Sequence, residues 1–145
     1  MPGLTALREA ARIARPGAPV LVAAISRWAP RLHGYLCDQW YRDHSAMSDV
    51  VAQVERSGRL APLFPGSFSG YCHTPTELRE ELQSVGLLVE DLVAVEGLAF
   101  ALPDLADRLI DPVDRQVVLD CAQALERVPE LLGLGPHLIA TARTR

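Results

Sequence analysis

REAARIARPGAPVLVAAISRW, residues 8–28, joins a helical pattern to an apolar run through a Pro-Gly stop. Leu4, Leu7, Ala11 and Ala14 fall at helical spacing with Arg8, Glu9, Arg12 and Arg15 around them, so residues 4–15 form an amphipathic helix. Pro16-Gly17 ends it, since proline removes an amide donor and glycine permits the left-handed turn. The run APVLVAAI, 18–25, has no polar alternation. It reads as a strand covered on both faces, as in a parallel α/β sheet; a buried helix is the other reading of so short a run. Such a strand needs neighbours on both sides.

With 145 residues and 49% hydrophobic content, the chain is long enough for one domain burying roughly 70% of its unfolded surface. The formal charge is −4, and all fourteen basic residues are scattered arginines. That pattern leaves no footprint for a nucleic-acid backbone and no polyanionic partner is expected. Cys37, Cys72 and Cys121 are odd in number and form no C-x-x-C motif, which fits a reducing, cytoplasmic setting. The longest apolar run, 18–25, is far short of a membrane span and the first residues carry no signal pattern, so the protein is expected to be soluble with no membrane partner.

Seven of the eight aromatic residues lie in 27–73: Trp28, Tyr35, Trp40, Tyr41, Phe64, Phe68 and Tyr71, with His33, His44 and His73 among them. A helix over 46–57 closed by Gly58 and a loop through Pro62, Pro65 and Gly66 are expected there. Aromatics interleaved with His and Arg suit a lid over a small, partly apolar ligand; they equally suit a packed helical subcore. TPTELREELQSVG, 74–86, carries a capping box (Thr74, Glu77), Pro75 at the first helical position and a terminating Gly86. LLVEDLVAVEG, 87–97, reads as a strand interrupted by Glu90 and Asp91. Asp111-Pro112 opens a helix whose Val113, Val117, Leu119, Cys121, Ala124, Leu125 and Val128 give a broad apolar face up to Pro129, and HLIATAR, 137–143, alternates as a last strand. The order is α/β.

The chemistry on offer is sparse. His33 and Cys37 stand four apart and Cys72 adjoins His73, but no second ligand pair has zinc-like spacing, and no metal is expected. GLGP, 133–136, lacks the G-x-G-x-x-G spacing of a phosphate cradle. Glu80-Glu81 and Glu90-Asp91 read as surface charge. Ser26, Arg27 and Trp28 follow the carboxyl end of a strand, where open α/β sheets bind ligands. His73, at the junction of lid and helix, is the candidate base. Tyr35, Tyr71 and Glu96 are weaker candidates for substrate contact, each with an equal structural reading.

LREAARIARPGAPVLVAAISRWA, 7–29, resembles the helix, Pro-Gly turn and fifth strand of the Rossmann-like class of S-adenosylmethionine-dependent methyltransferases. GYCHTPTELREELQSVGLLVEDLVAVEGLAFALPDL, 70–105, is similar to that family's Y-F-H-x-P-x-E-L helix and sixth strand, with Cys72 in place of the usual aromatic. LLGLGPHLIATAR, 131–143, resembles its closing turn and seventh strand. The resemblance implies an incomplete Rossmann-like sheet of three strands, the last one antiparallel and inserted between the others, with flanking helices and an aromatic-rich lid. It divides 1–145 into a helix and central strand (1–26), a lid or substrate insertion (27–73) and carboxyl-terminal helices and strands (74–145), all one partial domain; the use of arginine to the exclusion of lysine fits a GC-rich bacterial genome.

The family's glycine-rich loop and ribose-binding acid have no counterpart here and are expected upstream of Met1. The resemblance therefore implies the carboxyl-terminal portion of a methyltransferase acting on a small molecule, with S-adenosyl-L-methionine as cofactor of the complete protein. In that reading His73 is the base, and Ser26, Arg27, Trp28, Tyr35, Tyr71 and Glu96 bind substrate. The edge of strand 19–25 is expected to stay unpaired, open to the missing half or to self-association. The alternative is a non-enzymatic α/β interaction module that pairs through the same edge.

Overall fold

In a computed structural model, residues 3–42, 47–62, 66 and 68–145 are described. Helix α1 (Gly3–Ile13) runs into a turn at Gly17, whose φ of 76° requires glycine, and then into strand β1 (Pro19–Ser26). Helix α2 (Ala29–Arg31) continues as a π-helical stretch, Leu32–Cys37, and is followed by α3 (Met47–Ser57), β2 (Arg59–Leu60) and β3 (Gly70–His73). Position 46 of the expected helix, with Phe64, Pro65 and His44, lies outside the described residues. Helix α4 (Pro75–Ser84) starts on the expected capping box, with the Thr74 hydroxyl accepting from the Glu77 amide at 3.2 Å. Strand β4 (Leu88–Ala94), a 3-10 turn at Ala99–Ala101, α5 (Leu105–Ile110), α6 (Pro112–Leu125) and β5 (His137–Arg143) complete the order.

The sheet has five strands, in the order β2-β3-β1-β5-β4, not the three expected. Strand β5 is antiparallel and lies between β1 and β4, pairing Pro19 with Arg143 and Ile25 with His137 along β1. The two unforeseen strands are short: β3 joins β1 in parallel only at Ile25–Cys72 and Ser26–His73, and β2 pairs antiparallel with β3. The edge of β1 is thus closed at its carboxyl end and open elsewhere among the described residues. The Ser26 amide donates to the Pro136 carbonyl and the Thr144 amide to the Ala18 carbonyl, so even-numbered residues of β1 face β5. By the alternation of a strand, the carbonyls of Pro19, Leu21 and Ala23 and the amides of Leu21 and Ala23 then face the open edge, and proline has no amide to leave unpaired there.

One face of the sheet is covered. Val20, Val22 and Ala24 of β1 and Leu138, Ala140 and Ala142 of β5 pack with Leu7 of α1 and with Leu78 and Leu82 of α4. The register shift between Val89 and Asp91 lets both Val89 and Leu92 reach this core, because the inserted Glu90 reverses the alternation. The expectation that β1 is covered on both faces is not met: its odd-numbered residues lie on the other face, where Leu21 is 72% exposed. A run of apolar residues reports hydrophobicity, but not whether a second layer is present to cover it. Helix α6 departs in the same way: it ends at Leu125 and buries only Val118, leaving Val113, Val117 and Leu119 exposed. A second, smaller core of Val54, Leu60 and Cys72 ties α3 and the β2–β3 pair together, with Ile25 packed against it.

No helix among the described residues is long and apolar enough to cross a membrane.

Candidate functional site

At the carboxyl ends of β1 and β3 the chain builds a polar network. Arg27, 6% exposed, receives its position from backbone pairing, since its amide donates to the His73 carbonyl at 2.8 Å. Its Nε donates to the Cys72 carbonyl at 2.9 Å, and Nη2 donates to Glu77 Oε2 at 2.5 Å. Nη1 reaches the Glu55 carbonyl at 3.3 Å. Burial pushes the Glu77 carboxyl up, but hydrogen bonds from the Thr74 amide and the Arg27 guanidinium outweigh it and hold the group below the usual carboxylate range. Burial, with Glu77 close by, pushes the Tyr71 hydroxyl up, so it stays a donor. Arg27 is a brace between strands and helix, spending its guanidinium on internal partners.

His73 stands on the other side of Tyr71, with ring centroids 4.8 Å apart and edges crossed. Its Nε2 lies 3.2 Å from Glu81 Oε2. Contrary to the surface reading of Glu80-Glu81, Glu81 is 6% exposed. It shares the stripe of Leu78 and Leu82 on α4, one turn along, and that spacing was the available signal. His73 Nδ1 and Glu81 Oε1 are buried without a hydrogen-bond partner among the described residues. Tyr71 and His73 border a hollow of about 670 Å³ with Arg59, Leu60 and Gly70.

A second crevice, of about 610 Å³, opens beyond the carboxyl end of β1. Ile25, Ala29 and Pro30 line it, with Trp40 and Phe68 from the segment between β1 and β3. His33 and His137 flank it. Gly34 permits this arrangement, since a Cβ there would meet the Trp40 ring at 2.3 Å. Leu60 borders both hollows. The His137 Nδ1 lies 2.5 Å from Glu96 Oε1, and the His33 Nδ1 lies 3.1 Å from Asp38 Oδ2. His33 also stacks on Phe100.

The candidate residues separate accordingly. Ser26 is fully buried and donates from Oγ to the Gly133 carbonyl at 3.1 Å, so it is closed to ligands. Trp28 is partly exposed and lies against Gly133, outside both hollows. Tyr35 donates to Ser48 Oγ at 2.8 Å and sits under the Arg31 guanidinium, also outside them. Tyr71 and His73 are brought together, while Glu96 lines a separate hollow with Leu98, Val117 and Leu125 and meets the second crevice only through its contact with His137. His33, Trp40 and Phe68 belong to the aromatic segment read as a lid, whereas His137 was not a candidate. His137 carries no local signal, because its partner is 41 residues away.

Among the described residues no three His, Cys, Asp or Glu side chains converge as a metal site. No protein-family model and no curated protein matches the chain.

Proposed function

We propose that the chain is the carboxyl-terminal portion of an S-adenosylmethionine-dependent methyltransferase of the Rossmann-like class, and that its own share of the work is to hold a small acceptor molecule. One observation carries this reading: an antiparallel β5 lies between β1 and β4, beside an aromatic-lined crevice at the carboxyl end of β1. Ligands of open α/β sheets bind at that end of the strands. The open part of the β1 edge, from Pro19 to Ala23, is where the first half of such a sheet would add its strands.

The described residues do not themselves fit the cofactor. A strand-to-helix turn that cradles such a ligand presents free backbone amides, usually through glycines. The turn after β1 has no glycine; its Arg27 amide is taken by His73, its Trp28 amide lies within 3.4 Å of Ser26 Oγ, and Pro30 has none. After β3 the Thr74 amide is taken by Glu77 Oε2 at 2.9 Å, and the Glu77 amide by Thr74. The cofactor cradle is therefore assigned to a further segment or chain, and this chain's residues shield and orient the acceptor.

The alternative, a non-enzymatic interaction module that pairs through its open sheet edge, draws on the part of β1 that β3 leaves unpaired, where Leu21 is exposed. Calorimetric titration separates the two. S-adenosylmethionine should give no heat with the chain alone, whereas a fusion placing the first four strands of a family member before Leu4 should bind it. A fusion that folds cooperatively yet binds no cofactor favours the interaction module. Micromolar binding by the chain alone overturns the half-site reading.

A further inference from the structure

We infer that the crevice between His33 and His137 is a site for an uncharged, largely apolar ring compound that carries a hydroxyl or N–H donor. The inference names the acceptor class of the reading above and rests on it for its purpose, though not for its test.

Three observations lead there. The first is the lining: its side chains are aliphatic or aromatic apart from the two histidines, and among the described residues it includes no arginine, aspartate or glutamate. A carboxylate or phosphate entering it would lose hydration with no fixed cation to replace it. The second is size, since about 610 Å³ lies in the range of small-molecule pockets. Flat indole and phenyl surfaces, Trp40 and Phe68, offer stacking faces to a ring.

The third observation concerns the imidazoles. An ionised carboxylate only accepts hydrogen bonds, so Glu96 and Asp38 each fix the proton of the neutral partner ring on Nδ1. In its neutral form each ring then has Nε2 as its lone-pair acceptor, and neither Nε2 has a hydrogen-bond partner among the described residues. The crevice is thus bordered by two half-exposed imidazoles, each tied at Nδ1 to a carboxylate outside the lining, and in the neutral form their Nε2 atoms favour a neutral ligand that donates. His137 is the stronger of the two, because its carboxylate contact is shorter and Glu96 also accepts from the His137 amide at 3.3 Å. In the methyltransferase reading, His137 rather than His73 is then the group that receives the acceptor's proton, from its O–H or N–H to Nε2.

The test uses the unmodified chain and three probes of one shape: 2-naphthol, naphthalene and 2-naphthoate. Calorimetry should show 2-naphthol binding, with naphthalene and 2-naphthoate each about tenfold weaker or worse. Imidazole nitrogen NMR should show the His137 Nε2 signal moving on addition of 2-naphthol. His137→Leu, which has no acceptor, should lose the preference for naphthol over naphthalene, and if that variant unfolds, His33→Leu and the wild-type probe series still decide the matter. Equal binding of naphthol and naphthalene, or preference for naphthoate, overturns the inference. Because no cofactor is present, that failure is separate from a failure of the fusion to bind S-adenosylmethionine.

Discussion

Arg27 donates from Nε to the main-chain carbonyl of Cys72, 2.9 Å away, and so fastens the end of β1 to the strand beside it through a side chain. The register between these strands covers only Ile25–Cys72 and Ser26–His73, and the guanidinium extends a very short ladder. Replacing Arg27 by Met removes the side-chain donor to the Cys72 carbonyl and the guanidinium from the Glu77 carboxylate, which keeps only the Thr74 donors and the Tyr71 hydroxyl. Glu77 remains partly hydrated, which reduces the cost of an unpaired charge, so the loss is expected to be about 2–4 kcal/mol. Urea unfolding checks it; a change under about 0.5 kcal/mol would show that Arg27 braces nothing.

Acid should weaken the same corner. The Glu77 carboxyl is lowered from 4.5 in the folded chain, so the folded state binds that proton less readily than the unfolded one. Its contribution is complete above about pH 4.5 and is lost as pH falls through the lower folded value. Glu55, held down by its hydrogen bond to Arg31, and Asp91, held down by Arg127, act in the same direction. Thermal melts from pH 7 to pH 3 should show stability falling, with Glu77→Gln flattening part of the slope. A slope unchanged in that variant would remove Glu77 from the account.

The cysteines should divide two to one. Cys37 and Cys121 are exposed, whereas Cys72 is buried and its thiol is pushed up to about 11 by burial, with Arg27 pulling weakly the other way. A thiol reagent at pH 8 should modify two groups rapidly in the native chain and the third only as the chain unfolds. Three equally fast reactions would mean that the small core around Cys72 opens freely.

Gly58 closes α3 at a φ of 73°, and a Cβ there would lie 2.6 Å from the Tyr71 ring and 2.8 Å from the Cys72 carbonyl. Gly58→Ala should therefore cost about 2 kcal/mol or more, combining left-handed strain with a clash against backbone. The milder Thr74→Ala should cost about 1 kcal/mol through loss of the cap on α4. Denaturation midpoints that rank the two in the opposite order would contradict this packing.

Purified chain should form species larger than a monomer, because an apolar edge with unpaired backbone groups recruits other strands. Light scattering should detect them, and Leu21→Lys should shift the population toward monomer. A wild-type monomer at high concentration would show that the open part of β1 is protected.

The parts of the fold that were legible in the sequence are those specified by neighbours in the chain. Pro16-Gly17, the Thr74–Glu77 box and the Asp111 cap each complete their chemistry within a few residues, and the elements they delimit are present. Strand β3 is four residues long and is defined by pairing with Ile25 and Ser26, far away in sequence, so no local period announces it. The site was less legible for the same reason. Ser26 and Arg27 were placed at the carboxyl end of β1, where they lie, but whether they face a ligand or the interior depends on Gly133, Cys72 and Glu77. His137 acquires its orientation from Glu96 across a long loop.

The proline at the start of β1 gives the open edge a direction. An incoming strand finds two carbonyl–amide sets, at Leu21 and Ala23, next to the point where β3 is already annealed, and beyond them a carbonyl at Pro19 with no amide beside it. Pairing is best started at the β3 end and zipped backward, and it runs out at residue 19. The fold thus carries its own stop: whatever strand is seated here is matched over a short, fixed length, and the edge does not serve as an endless template.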